Sequence, residues 1–76
     1  MPIETIALKI KEAEKRNKKV AMFHFQSLIH ADEFRAVDAI QFCRSVGMRD
    51  SFATEFRKML SLSQMIKQEG YLLKKA

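Results

Sequence analysis

The stretch FCRSVGMRDSFATEF, from Phe42 to Phe56, places one glycine among apolar residues at offsets that suit a corner between two helices. A helix that ends at a glycine uses that residue because the left-handed backbone there penalises any side chain. Apolar residues on both sides of Gly47 are then expected to hold a second helix across the first. These residues are Cys43, Val46, Met48, Ala53 and Phe56.

This arrangement resembles the helix-turn-helix of small bacterial and phage repressors over about residues 39–59. In that family a small buried residue precedes the turn glycine by four positions, and Cys43 stands there in this chain. The chain departs from the pattern at Ala53, where a branched aliphatic residue is usual, and at the bulky Phe52 before it. The resemblance implies that the second helix, which begins at Ser51, reads DNA.

The face of this second helix opposite its apolar stripe is basic and rich in hydrogen-bonding groups, which suit phosphates and base edges. Glu55 is unfavourable near DNA, but it is expected to lean toward the apolar stripe. Further lysines at positions 18, 19, 74 and 75 are expected to add nonspecific attraction for phosphate. The residues predicted to contact nucleic acid are Arg49, Ser51, Thr54, Arg57 and Lys58.

The length of 76 residues indicates a single helical domain over residues 1–76. A domain of this size buries only about 60% of the surface that its unfolded chain exposes. Six phenylalanines, one tyrosine and five methionines exceed what so small a core readily hides. We therefore expect a homodimer.

The net charge of +5 is distributed unevenly along the chain. Residues 1–19 carry six basic and three acidic groups, and residues 20–40 carry one basic and three acidic groups. Residues 41–76 carry seven basic and three acidic groups. Basic ends around a mildly acidic middle are compatible with a polyanionic partner.

The apolar spacing predicts an all-α bundle of four helices with the helix-turn-helix-like corner at Gly47. Residues 3–16 are predicted to form the first helix, and residues 17–19 are predicted to separate it from the second. The block from Val20 to His30 fits a strand or a helix, and a helix is favoured because the sequence offers no partner strand. Whether residues 20–35 form one helix or a helix and a loop stays open.

Two apolar stripes and their caps complete this expectation. Asp32 is expected to cap the helix that ends at Gly47. The last helix runs to Gly70, and Asp50 or Ser51 is expected to cap its start. The stripe of the third helix is Phe34, Val37, Ile40 and Cys43. The stripe of the last helix is Phe52, Phe56, Met59 and Ile66, with Leu60 and Leu62 more loosely placed.

Several classes of protein find no support in the sequence. No secretory signal or membrane-spanning run is present, and the single Cys43, expected to be buried, indicates a reducing, cytoplasmic setting. His24 and His30 stand six positions apart, so they do not share a helix face as metal ligands, and no cofactor motif occurs. No catalytic arrangement of nucleophile, acid or base is recognisable, so the protein is not expected to be an enzyme.

Two functions remain. The first is a dimeric regulatory protein that binds double-stranded DNA through the corner at Gly47. The alternative is a helical protein-protein interaction module without DNA binding. In it a dimer or partner groove is formed by the block from Val20 to Ile29 or by apolar side chains of the last helix, namely Phe52, Phe56, Met59, Leu62 and Met65. Met65 lies off the main stripe, so its burial by a second copy would favour the alternative. The sequence names no DNA target, partner or effector.

Overall fold

A computed structural model describes residues 2–75, and every regular element in this range is helical. A single 3-10 turn, Asp50–Phe52, leads directly into the last helix. No helix within residues 2–75 combines the length and the apolar content needed to cross a bilayer. The expected all-α bundle is confirmed, with four longer helices and one short one. They are α1 (Pro2–Glu14), α2 (Lys19–Ile29), α3 (Ala31–Phe34), α4 (Ala39–Ser45) and α5 (Ala53–Gln68).

The first helix ends two residues before the expected boundary because Asn17 reverses the backbone. Asn17 adopts φ 57°, a left-handed conformation that asparagine tolerates better than most residues. The Lys18 N–H then donates to the Ala13 carbonyl at 2.9 Å, and the Asn17 N–H donates to the Glu14 carbonyl at 3.1 Å. This pair of bonds is a Schellman motif, which satisfies carbonyls that the helix end leaves free.

The open question over residues 20–35 is resolved as two helices, α2 and α3, separated by His30. The expected cap at Asp32 is wrong, because Asp32 lies inside α3 and pairs with Arg35 and Lys67. These two cations lower the pKa of the Asp32 carboxyl, chiefly through the hydrogen bond from Lys67. Asp38 caps α4 instead, and its Oδ2 accepts from the Gln41 N–H at 2.9 Å.

The expected stripe of the third helix is wrong at Ile40, which is 38% exposed. The chain leaves the helical conformation between Phe34 and Ala39, so the stripe is divided between α3 and α4. Phe34 and Cys43 are buried as expected, whereas Phe42 takes the inward position in α4. The last helix differs likewise at Leu62, which is exposed, because Ser63 occupies the inward position one residue later.

The core is centred on the ring of Phe42, which is fully buried. It stacks on Phe56 of α5, with ring centroids 4.4 Å apart and planes inclined by 25°. Phe34 of α3 lies 5.0 Å away and Phe23 of α2 lies 6.2 Å away, both tilted. Aromatic pairs at these separations add to the stabilisation from burial alone. One side chain of α4 therefore joins three other helices.

The corner at Gly47 has the predicted geometry. Gly47 adopts φ +80°, and the Met48 N–H donates to the Cys43 carbonyl at 2.8 Å while the Gly47 N–H donates to the Arg44 carbonyl at 3.3 Å. These bonds form a second Schellman motif. The apolar residues predicted to surround the glycine are all buried, and they belong to one cluster: Cys43, Val46, Met48, Ala53 and Phe56.

Substitutions at Gly47 are expected to destabilise the fold in the order asparagine, alanine, valine. A Cβ at this position meets no atom within 4 Å, so the cost comes from the left-handed backbone and not from a clash. Gly47→Ala is expected to lower the free energy of unfolding by about 1–2 kcal/mol. Each kcal/mol corresponds to a fall of roughly 4–8 °C in Tm for a domain of this size. Thermal unfolding followed by circular dichroism checks the order. Equal Tm values for Gly47→Val and the wild type would mean that the corner does not need this conformation.

Candidate nucleic-acid interface

All five residues predicted to contact nucleic acid are exposed, and they follow one another along the start of α5. Arg49 lies in the turn, and Ser51 lies in the 3-10 turn before the helix. Thr54, Arg57 and Lys58 stand three and four residues apart in α5, which places them on one helix face. The structure therefore brings the sequence-predicted residues to one side of the corner.

This face stays open because the intervening residues turn inward. Ala53 and Phe56 of α5 are buried in the same cluster as Cys43 and Val46 of α4. Ala53 is small, and the bulky Phe52 before it is half-buried, with its ring edge-on to Phe23 at 5.8 Å. The departures from the repressor pattern are thus accommodated within the core.

The expected cap of α5 is wrong for both Asp50 and Ser51, because no side-chain capping bond is present at the 3-10 turn or at the helix start. Instead, Asp50 forms a two-bond ion pair with Arg44 of α4. Arg44 Nε donates to Oδ1 at 2.9 Å, and Nη2 donates to Oδ2 at 2.8 Å. The hydrogen bond from Arg44 lowers the pKa of the Asp50 carboxyl, and the same bond raises the pKa of Arg44. The pair ties the end of α4 to the start of the second helix.

Replacing Asp50 with asparagine is expected to lower the Tm at pH 7, by a difference that shrinks as the pH falls through the folded-state pKa of Asp50. Because the folded-state pKa of Asp50 is lowered, the ion pair contributes stability above the unfolded-state pKa. That contribution is lost as pH falls through the folded-state pKa. Thermal unfolding of the wild type, Asp50→Asn, Arg44→Gln and the double variant measures it. A Tm gap that does not shrink as the pH is lowered below the usual pKa of aspartate, or single-variant effects that simply add, would contradict this role for the pair.

Glu55 is half-buried and is bound from two directions. Its Oε1 lies 3.1 Å from His24 Nε2 of α2, and its Oε2 accepts from Lys58 Nζ at 3.1 Å. The bond from Lys58 is the largest cause of the lowered pKa of the Glu55 carboxyl. One carboxylate oxygen of Glu55 thus lies beside His24 of α2, a partner that sequence reasoning missed, while the other stays paired with Lys58 on the basic face.

Arg49 and Arg57 carry the free positive charge of this face. Within residues 2–75 neither guanidinium lies in an ion pair, whereas Arg44 and Lys58 each hold a carboxylate. An unpaired guanidinium can offer its planar set of donors to a phosphate group. The surface therefore has two guanidinium groups open to a polyanion.

The remaining candidate residues lie elsewhere in the fold. Lys18 and Lys19 sit at the junction of α1 and α2, where Lys19 pairs with Glu14 at 3.0 Å, and Lys74 and Lys75 follow the end of α5. Cys43 is buried, and burial raises the pKa of its thiol. Across residues 2–75 no group of three or more His, Cys, Asp or Glu side chains is placed to hold a metal ion.

Residues 3–69 match the model of a family described as an HTH-like domain. No curated protein and no solved structure matches the chain significantly. The family match extends the local resemblance at the corner to nearly all of α1, to α2 and to the whole of α5. It covers most of the chain, and the protein therefore belongs to the HTH-like domain family.

Proposed function

We propose that this protein is a cytoplasmic, non-catalytic regulatory protein that binds double-stranded DNA with the first half of α5 in the major groove. The observation that carries this proposal is the exposed row of polar and basic side chains at the start of the second helix of the corner. Helix-turn-helix proteins contact base edges with this part of their second helix. The membership of the HTH-like domain family supports the same use of the corner.

The proposed contacts divide by chemistry. Arg49, before the helix, and Arg57 are placed to neutralise phosphates, which fixes the position of the domain on the duplex. Ser51 and Thr54 offer hydroxyl groups that accept from or donate to base edges. Lys58 can turn from Glu55 to a phosphate without leaving that carboxylate unpaired, because His24 stays beside Glu55.

A homodimer is part of the same proposal. Two copies related by a two-fold axis would place two α5 helices in successive major grooves, about 34 Å apart. Leu62 and Met65 lie toward the other end of α5, are exposed in the single chain, and offer apolar surface to a second copy. Light scattering at the concentrations used for DNA binding measures the oligomeric state.

The alternative is an interaction module without DNA binding, which needs an exposed apolar surface for a partner, and Met65, 51% exposed in the single chain, offers such a surface. Three other residues of the proposed apolar surface are not free to contact a partner, because they pack within the protein's own fold. Phe52, Phe56 and Met59 are buried or half-buried. A partner for this surface would therefore meet Leu62 and Met65 together with the exposed side chains of α2.

Fluorescence anisotropy of a labelled random-sequence duplex, titrated with protein at about 50 and 200 mM salt, separates the two functions. Neutralising three phosphates with Arg49, Arg57 and Lys58 is expected to weaken binding about 40-fold between these salt concentrations. A micromolar Kd at low salt with this dependence supports DNA binding. No binding at low salt would contradict it and leave the interaction module.

A further inference from the structure

A cavity of about 480 Å³ lies on the side of the molecule formed by α1, α2 and the segment after α5. Its volume falls within the range of about 300–1,000 Å³ that is typical of small-molecule sites. None of its lining residues belongs to α4, to the corner or to α5. The side chains that matter most for its chemistry are Lys9, Phe25, Gln26, Ile29, Leu73 and Lys74.

The walls of this cavity expose large apolar side chains to water. Phe25 and Leu73 are each 53% exposed, and Ile29 is 42% exposed. They come from α2 and from the segment after α5, so they face the cavity from two sides. Removing such surface from water is favourable at roughly 25 cal/mol per Å². The apolar body of a ligand would gain from covering them.

The charges around the cavity have one sign. Lys9 of α1 and Lys74 and Lys75 of the final segment line it, and no aspartate or glutamate is among its lining residues. His30 also lines it, and its Nδ1 lies 2.9 Å from Oε1 of Glu33, so that carboxylate already has a partner. Within residues 2–75 none of the three lysines takes part in a salt bridge. These ammonium groups therefore favour a ligand with an anionic group.

The buried side-chain amide of Gln26 adds a hydrogen-bonding group to the lining of the cavity. Gln26 is only 3% exposed, and the one side-chain hydrogen bond that it makes within residues 2–75 runs from Nε2 to Met22 Sδ at 3.4 Å. A thioether sulfur is a weak acceptor, so this amide keeps most of its capacity to bind a better partner. A carboxylate accepts hydrogen bonds and would serve as that partner.

We propose that this cavity is a binding site for an amphipathic anion, a carboxylate carried on an unbranched apolar chain. The apolar chain covers Phe25, Ile29 and Leu73, while the carboxylate lies against the lysines and accepts a hydrogen bond from the Gln26 amide. The site is separate from the surface proposed to bind DNA, so its occupancy can be tested without DNA.

Two-dimensional NMR titrations with sodium octanoate, 1-octanol and octyltrimethylammonium test this site with one apolar chain and three head groups. Octanoate is expected to bind at least about tenfold more tightly than the other two, with amide shifts centred on Thr5, Gln26 and Ile29. Equal affinity for all three compounds would overturn the proposal, because it would show a merely apolar surface.

A lysine variant and a matched control complete the test. The triple variant Lys9→Gln, Lys74→Gln, Lys75→Gln is expected to bind octanoate about tenfold more weakly than the wild type. The control Lys11→Gln, Lys15→Gln, Lys18→Gln changes the net charge equally at exposed positions outside the cavity and is expected to bind octanoate like the wild type. Undiminished binding by the first variant, or equal loss in both, would overturn the assignment of these lysines.

Discussion

Lys58→Glu is expected to weaken binding to a random-sequence duplex by about 10- to 100-fold at roughly 100 mM salt. The change removes one ammonium group from the exposed face of α5 and sets a carboxylate there, which repels phosphate. It is also expected to lower the slope of log Kd against log salt by about one, as the loss of one phosphate contact does. Anisotropy titrations over a range of salt concentrations measure both effects.

Lys11→Glu is the matched control for Lys58→Glu, because it makes the same change in net charge at an exposed position of α1. It is expected to retain most of the wild-type affinity. In Lys58→Glu the introduced carboxylate would stand three residues from Glu55, a like-charge pair that costs only about 0.2–0.5 kcal/mol, so helicity and dimerisation should be preserved. Equal affinities for the two variants would show that α5 does not face the duplex.

Phe42→Ala is expected to remove a large part of the free energy of unfolding at 25 °C. Removing a fully buried phenylalanine costs about 3–5 kcal/mol, and this ring meets three other aromatic rings. A 76-residue domain has roughly 4–11 kcal/mol in total, at about 0.05–0.15 kcal/mol per residue. The loss is therefore a large fraction of the total, and urea titration followed by circular dichroism measures it.

Phe25→Ala is the control, since it makes the same chemical change at a side chain that is 53% exposed. Its free energy of unfolding is expected to stay within about 1 kcal/mol of the wild type. A stable Phe42→Ala variant, or equal losses in the two variants, would contradict the central place of Phe42 in the core.

The corner was predictable because local spacing determines it. A glycine after an amphipathic helix, with apolar residues at set distances, specifies both the left-handed turn and the inward positions. Gly47, Cys43 and Ala53 accordingly have the expected roles. The exposed face of α5 followed from the same periodicity, since residues opposite an apolar stripe face water.

The features that the sequence did not predict depend on where the chain turns or on contacts between elements. The stripe through Ile40 assumed one continuous helix, whereas the extended backbone at the Asp38 cap separates α3 from α4. The pairing of His24 with Glu55 joins residues 31 positions apart, and no local pattern marks it. Arg44 and Asp50 were close enough to suspect, but the capping preference of aspartate favoured another role.

The cavity was missed for a related reason. Its walls come from α1, α2 and the segment after α5, which are brought together only when the helices pack. From the sequence, Lys74 and Lys75 are expected only to add nonspecific attraction for phosphate. Only the fold places these residues beside Lys9 and next to the apolar side chains of α2.

The central claim is that the corner and the start of α5 form the DNA-binding surface. A two-dimensional NMR titration of the isotope-labelled protein with a random-sequence duplex tests it most directly. The predicted result is a set of amide shifts concentrated between Arg49 and Ser61, with little change at Thr5, Phe25 or Ile29. Shifts centred on α1 and α2, or no shifts at low salt, would contradict this placement of the DNA-binding surface.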